Sequence, residues 1–157
     1  MRIAFIVVGK TVDKRIDALT QEYASRIAHY APFEFLCVPS IKAARSMPED
    51  VQKVREAEGI RKLLRDGDHV VLLDERGREP RSTELAAWLE QRLSQSSRRL
   101  VFIVGGPYGF DQSIYALARE QLSLSRLTFS HQMVRLFFVE QIYRAFTIIK
   151  GEPYHHE

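Results

Sequence analysis

Residues 122–146 read LSLSRLTFSHQMVRLFFVEQIYRAF, and the second half of this stretch limits the kinds of fold that the chain can adopt. From about residue 130 to residue 150, apolar side chains at helical spacing are spread almost all round the predicted helix. A helix that is apolar on every side is buried, either inside a domain or at a subunit interface. Glu140 and Arg144 are four residues apart and can form an ion pair, whereas Arg135 lies nearly opposite and has no such partner within the helix.

The first half of the same stretch alternates Leu and Ser over 122–125, which predicts a short extended or looped segment. Its backbone N–H and C=O groups need partners, because the apolar neighbours draw the segment inward. Such a loop can hydrogen bond a flat polar heterocycle while its leucines pack on the faces of the ring. Thr128 or Ser130 can also cap the long helix, and both interpretations can hold together.

Upstream of this stretch, apolar runs typical of buried strands alternate with helical patterns. The predicted strands are 2–9, 33–39, 69–77 and a run from 99 that leads into a glycine-rich loop ending at 110. The predicted helices are 13–30, 49–65, 82–94 with Ser82 or Thr83 as its cap, 111 to about 120 with Asp111 as its cap, and 130–150 ended by Gly151. This alternation predicts a three-layer α/β fold with a mostly parallel sheet.

Ligands of open parallel sheets bind outside the carboxyl ends of the strands. Three segments are expected there, namely LLDERG at 72–77, VGGPYG at 104–109 and LSLSRLTFSH at 122–131. The glycine segment has neither the GxGxxG spacing of a dinucleotide site nor the GK[ST] of a phosphate-binding P-loop. It is either a tight connection or a loop whose backbone approaches a ligand closely.

The composition excludes several classes of protein. The chain has 157 residues, which predicts one domain, and 45% of them are hydrophobic and 27% charged. A single cysteine, Cys37, excludes an intrachain disulfide and a cysteine metal cluster, and it fits a reducing cytoplasm. No apolar run approaches the ~20 residues of a membrane span, and the first 14 residues predict a strand rather than a signal peptide. The net charge of +3 permits a nucleic-acid partner without requiring one.

Several segments together resemble a known family. LSLSRLTFSHQMVR, EQIYRAF, the terminal YHHE, MRIAFIVVGK at the start, EAEGIR at 56–61, LLDERG and FIVGGPYGF are similar to the RlmH-type ribosomal RNA methyltransferases of the SPOUT class. The resemblance covers essentially the whole chain, and the combination of segments is highly specific. One position departs from it, because Ser130 stands where the family usually has proline before the histidine. A serine can still cap the helix, so we expect altered loop stiffness rather than loss of donor binding.

The resemblance implies one SPOUT domain over 1–157 with a C-terminal trefoil knot. It implies a cytoplasmic homodimer that uses S-adenosylmethionine as methyl donor and no metal. The implied reaction methylates N3 of a pseudouridine in helix 69 of 23S ribosomal RNA (the position-1915 site), on the 70S ribosome or the large subunit. The residues that match the family's donor site are Leu73, Gly105, Gly106, Leu124, Ser125, Arg126, Leu127, Thr128 and Phe129.

Methyl transfer to a ring imide nitrogen requires that its proton be removed or that the resulting anion be stabilised. The candidate catalytic residues are His131, Arg135, Arg144, Tyr154 and His155, with His156 beside them. A histidine can act as the base near neutrality, whereas an arginine would hold phosphate or stabilise the developing oxyanion. We expect the tail to fold over the donor site when RNA binds, because its Tyr-His pair matches the family's terminal motif.

Contact with RNA requires basic side chains on the ligand side of the sheet. Arg76, Arg78 and Arg81 follow the third predicted strand and are expected on that side, whereas Arg98 and Arg99 precede the fourth. The modest charge favours a ribosomal particle recognised by shape over free RNA. Two alternatives stay open, namely a SPOUT methyltransferase for another RNA site and a non-catalytic ribosome-binding relative. A small nucleotide-binding hydrolase is disfavoured, and its best support is the acidic pair Asp74 and Glu75.

Overall fold

A parallel five-stranded sheet organises the chain, and the apolar runs of the sequence form its centre. The computed structural model describes residues 1–42, 44–95 and 98–157. The strands are β1 (Ile3–Val8), β2 (Phe33–Val38), β3 (His69–Arg78), β4 (Leu100–Val104) and β5 (Glu120–Leu122). They are ordered β2-β1-β4-β3-β5, and every pair is parallel. The expected α/β fold with a parallel sheet is therefore confirmed.

Helices cover both faces of this sheet. They are α1 (Lys14–Ile27), α2 (Glu49–Leu63), α3 (Ser82–Ser94), α4 (Gln112–Leu117) and α5 (Met133–Ile149), with a short 3-10 turn at Ala44–Ser46. Alternate residues of β1 point to opposite faces: Phe5 packs among residues of α3 and α5, whereas Ile6 packs among residues of α2 and α4. The result is the three-layer arrangement that the sequence predicts. In the ranges that the structure describes, no helix has the length and apolar character to cross a membrane.

Helix α5 is buried over much of its length, as its apolar pattern indicates. Phe138, Val139 and Ile142 are within 1% of full burial and pack against the sheet and the neighbouring helices. The expected ion pair forms, with Arg144 Nη2 2.6 Å from Glu140 Oε1. Gly151, with φ +68°, ends the helix as predicted. The trefoil knot and the single domain over 1–157 stay predictions.

The structure corrects several predicted boundaries and caps. The helix predicted over 13–30 ends at Ile27, and the helix predicted from 130 begins at Met133. The N-cap residue of α3 is Arg81, and not Ser82 or Thr83 as predicted. The Glu84 carboxylate accepts the Arg81 N–H at 2.7 Å. Of the two proposed caps for α5, the Ser130 hydroxyl accepts the Met133 N–H at 3.0 Å.

Strand β5 is absent from the sequence prediction, which extends a helix from Asp111 to about Glu120. Helix α4 ends at Leu117, and the chain then pairs with β3. The Glu120 carboxylate holds this edge strand in place by accepting hydrogen bonds at 2.7–2.8 Å; the donors are His69 Nε2, Trp88 Nε1 and Arg92 Nε. Burial alone would raise the pKa of Glu120, but these three hydrogen bonds lower it to about 2.

Candidate active site

A cavity of about 710 Å³ opens at the carboxyl ends of β3, β4 and β5. Its walls come from the three segments that the sequence places at this edge of the sheet. All nine predicted donor-site residues line it, namely Leu73, Gly105, Gly106, Leu124, Ser125, Arg126, Leu127, Thr128 and Phe129. Its volume lies within the ~300–1,000 Å³ typical of small-molecule sites. The fold therefore brings together residues that are up to 56 positions apart in the chain.

The glycine-rich loop forms one wall, and glycine is required at two of its positions. Gly106 and Gly109 pair as an isolated antiparallel bridge, and Gly109 has φ +81°, a conformation that side chains disfavour. A Cβ atom at Gly106 would lie 2.5 Å from a Glu56 carboxylate oxygen. Glu56 is only 5% exposed, and burial raises its pKa, partly opposed by a hydrogen bond from Gln52. A buried carboxyl group thus supports the loop from behind.

A bulge in β3 forms the opposite wall. Leu73 and Arg78 both align with Leu122, so residues 74–77 project out of the sheet. Within this bulge the Tyr115 hydroxyl donates to the Asp74 carboxylate and accepts from Arg76 Nη2 at 2.6 Å. The Arg76 guanidinium also lies over the Tyr115 ring, 5.1 Å from its centre.

These contacts keep Asp74 ionised. Burial alone would raise its pKa, but the hydrogen bonds from Tyr115 and Arg76 outweigh that effect and lower it. Burial and the neighbouring Asp74 raise the pKa of Tyr115, so its phenol keeps its proton near neutrality. Asp74 is therefore held in a hydrogen-bonded unit with Tyr115 and Arg76 and does not form a free carboxylate pair with Glu75, which further disfavours a hydrolase.

The segment 123–129 is a loop that is held by its own serines. The Ser123 hydroxyl donates to the Ser125 carbonyl at 2.9 Å, and the Ser125 hydroxyl accepts the Leu127 N–H at 3.0 Å. These bonds satisfy the hydroxyls of both serines in the Leu-Ser alternation. The Phe129 ring packs 5.1 Å from the Phe137 ring of α5. The loop is therefore anchored to the helix that follows it.

His131 is the one predicted catalytic residue that lines this cavity. Its Nε2 lies 3.0 Å from Arg135 Nη2 and 3.2 Å from the Val8 carbonyl oxygen. Because a guanidinium can only donate, the shorter, charge-assisted contact makes Nε2 an acceptor and puts the proton of the neutral ring on Nδ1. Burial, and then the positive charge of Arg135, lower the pKa of His131. The ring is therefore neutral near pH 7.

Arg135 is fully buried beneath the cavity. Its guanidinium donates to the Val8 and Gly9 carbonyls, both at 2.8 Å, and to the Thr11 hydroxyl at 3.0 Å. This position does not support the expected contact with RNA phosphate or with a developing oxyanion. It fits a cation that fixes the end of β1 and the ring of His131.

The other predicted catalytic residues form a separate cluster toward the end of α5. Tyr154 donates to Glu140 at 2.9 Å, and Arg144 Nη1 lies 3.2 Å from His155 Nδ1. Burial, and then hydrogen bonds to Tyr23 and Glu140, raise the pKa of Tyr154 and keep its phenol protonated. The residue of α5 that lines the cavity is Val134. Arg144 lies ten residues further along the helix, which is a distance of about 15 Å. The structure therefore does not bring this cluster into the cavity, although the tail is docked rather than frayed.

Sequence reasoning missed Glu56 and Tyr115 as residues of the site. Glu56 lies in the segment EAEGIR, which carries part of the family resemblance. That resemblance is the one sequence signal that points to Glu56. Tyr115 lies in a six-residue helix with no motif around it. Both act through tertiary contacts, with the glycine loop and with the β3 bulge, that no local pattern encodes.

Comparison with known proteins agrees with this geometry. The family model described as "Predicted SPOUT methyltransferase" matches residues 1–155. The chain is 50% identical to "Ribosomal RNA large subunit methyltransferase H" of Bacteroides fragilis over 157 residues, which is 100% of both chains. The protein of the same name from Parabacteroides distasonis is also 50% identical over the same length, and that from Christiangramia forsetii is 46% identical over 156 residues, 99% of both chains.

Solved structures show the same fold at low sequence identity. A probable methyltransferase from Bordetella pertussis matches with a TM-score of 0.56 and 14% identity over 92% of this chain and 93% of that one. The tRNA (m1G37) methyltransferase from Aquifex aeolicus matches with a TM-score of 0.52 and 14% identity, covering 100% of this chain and 76% of that one. At these identities the likeness concerns the fold alone.

Proposed function

Because the chain belongs to the SPOUT methyltransferase family, we propose that it transfers a methyl group from S-adenosylmethionine to large-subunit ribosomal RNA. Full-length identity of 50% to proteins named for that activity supports the proposal. The observation that carries it is the cavity at the carboxyl ends of the strands. Nine residues chosen from the sequence as the donor site line this one space.

The lining suits a donor that is part apolar and part polar. Leu73, Leu124 and Phe129 supply apolar surface, while the glycine loop exposes backbone groups without side chains in front of them. A Cβ atom at Gly105 would contact Phe110 and one at Gly106 would contact Glu56, so these glycines let the loop pack closely on the residues behind it, whereas Gly109 has open space where a Cβ atom would lie. S-adenosylmethionine supplies an electrophilic methyl group on a sulfonium. The work of this chain's residues is to hold the donor and the acceptor nitrogen in line and to exclude water.

We propose N3 of a pseudouridine in 23S ribosomal RNA as the acceptor. When N3 loses its proton, negative charge develops on the neighbouring ring oxygens, and a neutral hydrogen-bond donor can stabilise it. His131 fits this role through Nδ1–H, because Arg135 occupies Nε2. It is then an oxyanion donor rather than the base, and the N3 proton passes to solvent water before the nitrogen attacks the methyl group.

The two roles of His131 are separable by substitution. The amide of His131→Asn can reproduce a donor near the Nδ1 position, whereas His131→Leu cannot. We expect the Asn variant to keep roughly 10²- to 10³-fold more activity than the Leu variant, which is the effect typical of one oxyanion donor. Equal loss of activity in both variants, together with loss of the acidic limb of the pH–rate profile, would identify His131 as the base instead.

We propose that the active form is a cytoplasmic homodimer of one-domain subunits. Val12, Leu127 and Phe137 are 79%, 76% and 40% exposed, and a second copy would cover such apolar side chains. The cluster of Arg144, Tyr154 and His155 lies about 15 Å from the cavity along α5. To meet the acceptor, the tail must either leave α5 when RNA binds or come from the partner.

Calorimetric titration with S-adenosylmethionine, with ATP as the control ligand, tests donor binding directly. We expect saturable binding of the donor and none of ATP. Methyl transfer to unmodified large ribosomal subunits and to free RNA, followed by mapping of the product nucleotide, tests the acceptor. Binding of ATP without the donor would overturn the methyltransferase assignment. Donor binding without transfer to any ribosomal particle would favour the non-catalytic relative.

A further inference from the structure

A second, smaller groove begins where the donor cavity ends. It has a volume of about 410 Å³ and is lined by Arg76–Arg78 at the end of β3 and by residues 118–121, where the chain passes from α4 into β5. Arg76 lines both spaces, so the groove continues from the cavity along the edge of the sheet. Three of its seven lining residues are arginines, and one is acidic.

Two of the three arginines in this groove have no partner among the residues that the structure describes. Arg76 is paired with Asp74, at 3.4 Å. Arg78 and Arg119 are exposed, and neither side chain has a hydrogen bond or ion pair with any residue in the described parts of the chain. Glu120 could repel an anion here, but its carboxylate forms an ion pair with Arg92 at 2.8 Å. Two guanidinium groups are therefore available to a ligand.

The backbone beneath these two arginines is fixed. The Arg78 carbonyl accepts the Ser123 N–H at 2.8 Å, and the Arg119 N–H donates to the Val70 carbonyl at 2.8 Å. The bulge also depends on Gly77, where a Cβ atom would lie 2.6 Å from the backbone of Leu122. Both side chains thus start from backbone that is hydrogen bonded to the sheet, which lowers the entropy lost when they bind a ligand.

We propose that this groove binds the backbone phosphates of the RNA strand next to the nucleotide that enters the cavity. The inference rests on the proposed function and deepens it by assigning Arg78 and Arg119 to RNA contact. Arginine suits this role because its planar fork matches the geometry of a phosphate. A nucleotide that reaches the cavity brings its neighbouring phosphates to the bordering groove, since Arg76 belongs to both. Phosphate contacts of this kind set register and affinity rather than base specificity.

The test compares Arg78→Gln, Arg119→Gln and the double variant with Arg65→Gln as the matched control. Arg65 is also exposed but lies in the turn before β3 and does not line the groove. Binding to large ribosomal subunits that lack the modification is measured from low to high salt, beside donor affinity by calorimetry. Each lost phosphate contact lowers the salt slope of log K by about 0.7 to 0.9.

The double variant is expected to bind subunits roughly 10- to 30-fold more weakly near 0.15 M salt, the range that two lost contacts give. KM for subunits should rise by a similar factor, with donor affinity and kcat at saturating subunits unchanged. A double variant with the affinity and salt slope of the wild type and of Arg65→Gln overturns the groove assignment while leaving the proposed function intact. Failure of the wild type itself to bind or methylate subunits refutes both.

Discussion

Replacing Arg135 with methionine tests whether a buried cation holds the first strand of the sheet to the last helix. The side chain is fully buried and donates to the carbonyls of Val8 and Gly9 and to the hydroxyl of Thr11. Methionine has a similar length and keeps much of the packing, but it leaves those acceptors without their donor. No carboxylate is left behind as an uncompensated charge, so the penalty comes from buried neutral oxygens alone.

The magnitude follows from two opposing effects. Each buried carbonyl that is left without a hydrogen bond lowers the free energy of unfolding by about 1 to 3 kcal/mol, and the substitution affects two such carbonyls. Removal of the buried charge regains part of its desolvation cost. We therefore expect the free energy of unfolding to fall by about 2 to 4 kcal/mol. With a urea m-value of about 2 kcal/mol/M, the midpoint moves down by roughly 1 to 2 M.

Arg144→Met is the matched control, because Arg144 lies on the same helix but is 25% exposed and pairs with Glu140. Its loss should cost about 1 kcal/mol or less. If Arg135→Met shifts the urea midpoint no more than Arg144→Met does, the hydrogen bonds from Arg135 to the end of β1 do not stabilise the fold and the reasoning is refuted.

The same variant has a second readout in the pKa of His131. Burial is the larger cause of its lowered pKa and Arg135 the next, so the methionine variant should raise that pKa without restoring the ordinary value. In the wild type, the unfolded chain takes up a proton on His131 at about pH 6.5 while the folded state resists it. Folding stability therefore falls as pH drops below about 6.5, and this limb should be shallower in the variant. An NMR titration that shows an unchanged pKa would refute the electrostatic coupling.

Three further predictions concern other parts of the molecule. Glu120→Gln removes a carboxylate whose pKa is lowered to about 2. Its stabilisation is complete above about pH 4.5 and lost as pH falls to 2, so the variant should be about 2 kcal/mol less stable at pH 7 and show a flatter acid limb in thermal unfolding. Gly106→Ala pushes a Cβ atom against the carboxylate of Glu56 and should weaken donor binding about tenfold, as measured by calorimetry. Ala116→Gly, at an exposed position of α4, is the control and should leave donor binding unchanged. Deletion of residues 153–157 should abolish methylation while donor affinity stays near that of the wild type, and full activity of the truncated chain would disprove a role for the tail.

The parts of the fold that the sequence predicts well are those where local pattern and burial agree. The four longer strands all contain largely apolar runs, and each is found within a few residues of its predicted bounds. The edge strand β5 escapes prediction because it has three residues and is formed by pairing with β3. A weak local preference is overridden there by the hydrogen bonds of a tertiary partner.

In the candidate site, too, the parts with a local sequence pattern are predicted and the parts that depend on tertiary contacts are not. Strand ends and glycine placement identify the wall segments of the cavity, since the carboxyl ends of parallel strands meet at one edge. The role of Arg135 could not be predicted, because its partners at Val8 and Gly9 lie 127 and 126 residues away. The sequence also assigns Arg144 and Tyr154 to the same catalytic site as His131, whereas in the structure the length of α5 separates them from His131.

The link between Arg135 and the end of β1 also constrains how the chain is made. During synthesis the first strand leaves the ribosome early, yet its carboxyl end meets its buried donor only after residue 135 has emerged. Contacts of such long sequence separation slow folding, because the loop between them must close before they stabilise anything. Strand β1 also needs β4, nearly 100 residues later, to cover its second edge. The nascent chain therefore carries an open, apolar strand for most of its translation, and completion of the sheet is a late, nearly post-translational event.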